Sequence, residues 1–269
     1  MYSHRQKVRE NKMKSGFLAF FKKEWMQLWR SGKLMVLLMI SVLFGVMNPA
    51  IARLTPWLME QMAEELEETG LLVSAVTVDA SMSFAQFFKN IPIVLILFIF
   101  IFGGSLVGEW EKGTLIPLLT RGLSRSVVVA VKTTIMVLLW TIGYWLCFGI
   151  TLGYSLYFWS GEKMARYALA AVFPYLFGLW VIIMLLVFSV PAKSATGVLM
   201  GLAVLVVVCY LAGMLPGVGW WLPTYLMSAQ TFVSEYGEAG GFARAAVVSG
   251  ISGAAGYLGV VFGVERKMI

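Results

Sequence analysis

From Glu109 to Arg125 the chain reads Glu-Trp-Glu-Lys-Gly-Thr-Leu-Ile-Pro-Leu-Leu-Thr-Arg-Gly-Leu-Ser-Arg. Glu109, Glu111, Lys112, Arg121 and Arg125 set both signs of charge into one short segment. Leu115, Ile116, Leu118 and Leu119 add apolar contact. Gly113 can take a positive φ, and Thr114 can cap a new short helix. The chemistry such a mixture supports is non-covalent docking of another protein. Residues for bond-making chemistry are missing. His4 is the only histidine, which excludes an HExxH metalloprotease and a His-ligated haem. A serine nucleophile would lack a histidine base, and Ser189, Ser194 and Ser249 are expected to bond back to their own helices. No GxxxxGK[ST] stretch occurs, so the chain has no phosphate-cradling loop of that kind. Cys147 and Cys209 lie in apolar stretches as packing residues, and no CxxC or His-rich cluster suggests a metal. The chain is expected to carry no cofactor and no catalytic residue of its own.

The segment lies between two stretches too apolar for water. Of 269 residues, 59% are hydrophobic and 13% charged, and the mean hydropathy is +0.82. A soluble domain carries roughly 25% charged residues. Six stretches contain no ionisable Asp, Glu, Lys, Arg or His: 34–52, 91–108, 133–161, 167–192, 194–215 and 245–264. At 19, 18, 29, 26, 22 and 20 residues, each can cross a bilayer, which takes a helix of ~20, and the longer ones are expected to tilt or emerge. Helices are expected because a lipid-facing backbone must satisfy its own hydrogen bonds. The fold class is therefore all-α, a polytopic membrane protein with spans near 34–52, 91–108, 133–158, 167–190, 195–215 and 245–264. No span core holds an ionisable side chain, which argues against a proton relay or a carboxylate-based pump.

Basic residues give the expected orientation. With both termini in the cytoplasm, 16 of the 21 Lys and Arg fall inside and 9 of the 14 carboxylates outside. Orientation follows the Lys/Arg bias. The net charge of +7 then reflects topology, and no nucleic-acid partner is implied. A cleaved signal peptide is disfavoured, although Ala50-Ile51-Ala52 mimics a cleavage site, because 33 residues precede the first apolar core.

Three further segments complete the plan. Residues 1–33 form a cytoplasmic tail and entry helix, with 1–15 as a mobile basic segment. Phe17, Leu18, Phe21, Trp25, Leu28 and Trp29 recur at helical spacing, which predicts an amphipathic helix on the inner membrane surface. Glu24 sits near the centre of that apolar arc. It either pairs locally or faces a protein partner. In the outer loop 53–90, Thr55-Pro56 predicts a helix start and Gly70 a stop, and five glutamates from Glu60 to Glu68 load that helix with negative charge. A second outer loop, 216–241, contains a short or re-entrant helix over 226–232. Residues 265–269 return to the cytoplasm. The pairs Gly149/Gly153, Gly197/Gly201 and Gly259/Gly263 suit close helix packing within the chain or in a dimer.

The inner loop resembles the signature of ABC-2-type transporter permeases. Glu109-Trp-Glu-Lys-Gly-Thr-Leu115, then Leu118-Leu-Thr-Arg-Gly-Leu-Ser-Arg125, then Lys132, follow the family's E-x-x-x-G-T-L, Leu-rich step, basic turn and third-span lysine. Lys22-Lys-Glu-Trp25, followed by Arg30, is similar to the family's entry helix. Gly122-Leu123 departs from it, standing where the family has Pro and a small apolar residue. The resemblance implies the transmembrane permease subunit of an ATP-driven exporter in the cell membrane. It implies a partner permease chain, as a homodimer, and two cytosolic ABC ATPase subunits, which would hold the ATP and Mg. It also implies that Glu109, Glu111, Lys112, Gly113, Thr114, Arg121, Arg125 and Glu24 couple this chain to the ATPase. The alternative is a membrane scaffold or sensor that transports nothing.

Overall fold

The computed structural model describes residues 2–68, 79–111, 113–120, 122–159, 164–233 and 239–266, with side chains for all of these except 2–15, 62–68, 110, 118 and 119. The described residues are helical, and no strand occurs among them. A long helix α1 (Tyr2–Arg30) turns at Gly32 into α2 (Lys33–Glu68). There follow α3 (Ala80–Phe102), the short α4 (Val107–Glu111) and α5 (Ile116–Thr120), then α6 (Arg125–Phe158), α7 (Ala165–Ser189) and α8 (Ala195–Gly213). Two 3₁₀ turns, Gly219–Trp221 and Pro223–Ser228, lead to α9 (Ala229–Val233) and α10 (Ala239–Arg266).

Six segments are long and apolar enough to cross a membrane: Lys33–Gln61, Ala80–Glu109, Arg125–Phe158, Ala165–Ser189, Ala195–Gly213 and Ala239–Arg266. Each overlaps one of the six expected spans, with boundaries that differ at most ends; the fourth and fifth stop at Ser189 and Gly213, short of the expected 190 and 215. The second begins at Ala80 because Asp79 caps it, its carboxylate accepting from the Met82 N–H. Two expectations give way. The tail is not separate from the entry helix, since α1 is helical from Tyr2. No helix starts at Thr55-Pro56 either, because α2 runs unbroken through Pro49 and Pro56. Thr55 donates its hydroxyl to the Ile51 carbonyl, 2.8 Å away, instead of capping. The expected stop at Gly70 lies outside the described residues. The expected short helix at 226–232 is present as the second 3₁₀ turn running into α9.

The core forms around α6, which packs against α1, α2, α3, α7 and α10. Its Trp140 and Tyr144 are fully buried, in a seam with Phe98 on one side and Phe87 and Phe148 on the other. Trp140 fits because α7 carries Gly178 opposite it. A Cβ there would lie 2.3 Å from the indole ring. The prolines within spans each remove one backbone donor, and neighbouring side chains supply donors nearby. Pro49 frees the Gly45 carbonyl, and Thr151 on α6 points its hydroxyl at that oxygen from 3.1 Å. Asn48 donates to the Thr151 hydroxyl at 3.0 Å, and Asn90 on α3 donates to Asn48 at 2.9 Å. Near Pro174 the Tyr144 hydroxyl donates to the Ala171 carbonyl.

Helix α8 lies against the bundle through few side chains, with only Val198 and Leu202 buried. Ser189 and Ser249 bond back to their helices as expected. Ser194 differs, because it stands one residue before α8 and caps it, accepting from the Gly197 N–H. Of the paired glycines, a Cβ at Gly149 or Gly153 would meet no described atom beyond its own helix, whereas Gly201 packs on Phe188 and Gly263 on Val190.

Candidate functional site

The loop between the second and third spans is built from two backbone reversals and two short helices. At Gly113 φ is +64°, a left-handed value open to glycine at little cost. Thr114 was expected to start a helix. It closes one instead: both its N–H and its hydroxyl reach back to the Glu109 carbonyl, at 3.1 and 3.2 Å. The next helix, α5, starts at Ile116, with Leu115 buried beneath it. At Gly122 φ is +90°. Proline is locked near −65° and cannot take this turn. Ser124 then caps α6, and Leu123 lies half-buried beside Gly16 of α1.

The helices around this loop bring four charges together. Lys132, one turn past the start of α6's buried face, places its ammonium 2.5 Å from Glu24 Oε2 on α1 and 3.0 Å from Glu109 Oε1 on α4. Lys23 lies 2.7 Å from Glu24 Oε1 and 3.3 Å from Glu109 Oε1. The contacts close a ring in which the charges alternate: Lys23, Glu24, Lys132, Glu109. Its net charge is zero. The Lys132 side chain is 5% exposed, Glu24 8% and Glu109 13%, whereas Lys23 is 42% exposed. Glu109 Oε2 is buried and has no hydrogen-bond partner among the described residues. Such an orphan costs about 1–3 kcal/mol, so the two lysines on Oε1 hold this carboxylate where it is.

The ring also sets the ionisation of its α1 members. Burial pushes the Glu24 carboxyl up, but the charge of Lys132 and hydrogen bonds from Lys132 and Lys23 outweigh it and hold it below its ordinary value. Burial pushes Lys23 down, but its hydrogen bond to Glu24 and the charges of Glu109 and Glu24 outweigh that and raise it. Lys23 also lies over the Phe20 ring at 5.1 Å. Glu24 therefore does pair with its sequence neighbour. Its closer partner is a lysine 108 positions away. The buried line of α1 is Phe20 and Glu24, with Phe17, Phe21, Trp25 and Leu28 half-buried beside it. Leu18 and Trp29, expected on the same face, are exposed.

Beside the ring lies a cavity of about 530 Å³, lined by Gln27, Ser31, Lys33, Ser105, Thr114 and Pro117 as well as the ring itself. Leu28 and Phe102 also line it, so charged groups and apolar surface share its wall, and it lies where α1, α3 and the loop meet.

The expected site residues thus divide. Glu24 and Glu109 are inside the ring. Glu111 and Thr114 are exposed, and Gly113 is half-buried at its reversal. Arg125 turns towards the last helix, donating to the Val264 and Glu265 carbonyls at 3.4 Å each. Lys112 and Arg121 lie outside the described residues. From the sequence, Lys132 stands at the loop's end with no partner, and Lys23 carries no assigned role. A signal was available: a carboxylate on an apolar arc and a lysine at the entrance of a span are two unexplained charges at the inner ends of neighbouring elements. Among the described residues no group of His, Cys, Asp and Glu could hold a metal ion. No family model, curated protein or solved structure matches the chain.

Proposed function

We propose that this chain is the membrane permease subunit of an ATP-driven exporter, working with a separate cytosolic ATPase that docks on α1 and the 109–125 loop. The carrying observation is the charge ring, which ties the entry helix to both ends of that loop. A force applied to the loop or to α1 is passed on to the second and third spans through Glu109 and Lys132. The exposed Glu111, Thr114, Ile116 and Thr120 then form the docking face. Both termini and this loop are placed in the cytoplasm by the basic-residue bias. The cargo path would form between two such chains in the cell membrane.

The reading also rests on what the spans lack. With no ionisable group in the span cores and no phosphate-cradling loop in the chain, energy has to come from a partner. The test is reconstitution. The chain is co-expressed with candidate Walker-A ATPases, and any complex that forms is purified and placed in proteoliposomes. The expected result is a stable complex whose ATP hydrolysis is altered by the permease chain and by transported compounds. A chain that binds no ATPase and moves nothing would favour the scaffold or sensor.

A further inference from the structure

The four charges of the ring come from three elements: Lys23 and Glu24 from α1, Glu109 from α4, Lys132 from α6. Each lysine touches both carboxylates, and each carboxylate touches both lysines. The two lysines are not equivalent. Lys132 is buried, makes the shortest of the four contacts, and is the only cation in the ring shielded from water. Lys23 is far more exposed, at 42%, makes the longest contact, 3.3 Å to Glu109, and can leave that carboxylate for water at smaller cost. A buried charge that loses its partner is far more costly than an exposed one.

We infer that Lys132 is a positioning residue, the hub that docks α1 onto the ends of the second and third spans, and that Lys23 is the leg that opens. The unit of docking is the closed ring of alternating charge, not the Glu24–Lys132 pair alone. With Lys132 removed, Glu24 and Glu109 face each other with one solvated lysine between them, and α1 is pushed off. With Lys23 removed, Lys132 still spans both carboxylates, and α1 stays seated. The docking is a property of this chain by itself. Only its consequence, that α1 and the loop transmit force as one body, rests on the coupling reading above.

The ring makes a distinctive demand on charge swaps. Exchanging the pair, Glu24→Lys with Lys132→Glu, keeps their mutual attraction. It also sets Lys against Lys23 and Glu against Glu109. A simple pair would be rescued by that swap, whereas the ring is not. Inverting all four positions, by adding Lys23→Glu and Glu109→Lys, restores alternation.

Hydrogen exchange of the purified full-length chain in nanodiscs, without any ATPase, reads the docking of α1 directly. In Lys132→Met, amides of residues 17–30 are expected to exchange about tenfold faster or more, with α8 and α10 unchanged. Lys23→Met is expected to stay within about threefold of the parent protein, and Lys132→Arg to recover most of the protection. The two-site swap is expected to remain fast, and the four-site inversion to slow towards the parent. The proposal is overturned if Lys132→Met exchanges no faster than Lys23→Met, or if the two-site swap protects α1 as well as the four-site inversion does. Should Lys132→Met fail to insert, the comparison of the two charge-inverted chains decides alone. Normal α1 docking with no ATPase binding would sink the coupling reading and leave the ring intact.

Discussion

Glu24 is held ionised by its neighbours, and that has a pH signature. Its carboxyl is held below the ordinary 4.5, so the stability it contributes is present above that value and is lost as pH falls through the lowered one. Lys23 is raised above 10.5, so its contribution is complete below that value and is lost as pH rises through the raised one. The contributions of Glu24 and Lys23 are therefore both complete from about pH 5 to pH 10. Melting curves in detergent are expected to be flat across that window. In Glu24→Gln the acid-side fall should be shallower than in the parent, because one carboxylate with a lowered pKa is gone. Parallel curves for the two proteins would show that Glu24 carries no such linkage. Removing one member of the buried part of the ring is the costlier change: Lys132→Met is expected to lose about 3–5 kcal/mol, read from denaturant midpoints, because it leaves uncompensated buried charge. None of this pairing was legible in the sequence as a pair. Glu24 was visible as an oddity on an apolar arc and Lys132 as a cation at a span entrance. What joins them is the crossing of α1 over α6, a tertiary fact with no local signal.

Among the helices, the spans were legible and their ends were not. Charge-free length is a strong signal because a bilayer penalises every exception. Helix ends depend on finer chemistry. Pro56 was expected to open a helix, yet in α2 it sits inside one, because one missing donor is a cost a long helix absorbs. Pro49 shows how. Its lost hydrogen bond is replaced from α6 by Thr151, whose one hydroxyl proton lies within reach of both Gly45 O and Cys147 O and whose oxygen accepts from Asn48. Thr151→Val keeps the shape and removes all three bonds. It is expected to destabilise the α2–α6 contact by about 1–3 kcal/mol, since the Asn48 amide and the Gly45 carbonyl stay buried without a partner. Thr151→Ser should cost well under half as much. Equal midpoints for the Val and Ser variants in a denaturation series would show that the hydroxyl does not close the proline gap. The meeting of Trp140 with Gly178 was equally invisible beforehand. Gly178 belongs to none of the spaced glycine pairs that the sequence singles out, and a notch for one indole needs only one missing Cβ.

For the molecule as a whole, the loop has two attachments, and they predict different failures. At its Glu109 end it is fixed by the ring. At its Arg125 end it is fixed to the last span, because Arg125 donates to the carbonyls of Val264 and Glu265. These are the closing residues of α10, where the helix dipole presents partial negative charge. The entry helix and the second, third and sixth spans are thereby gathered at one end of the bundle, and a body docked on the loop would act on three of the six spans. Glu111 differs: it is exposed on α4, outside the ring, and free to meet a partner. Glu111→Arg is therefore expected to leave insertion and melting temperature unchanged while reducing transport per ATP hydrolysed, by about tenfold if one charge-assisted contact is lost. Arg125→Glu is expected to do both kinds of damage. A carboxylate at the end of α10 costs about 0.3–1 kcal/mol through the dipole, and the last span loses its tie to the loop. The two variants are to be compared in proteoliposomes with the ATPase present, with melting measured on the permease alone. If Glu111→Arg transports as well per ATP as the parent, the exposed face of α4 is not where the ATPase engages. If Arg125→Glu melts like the parent, its bonds to α10 are incidental, and the sixth span is not part of the coupled unit.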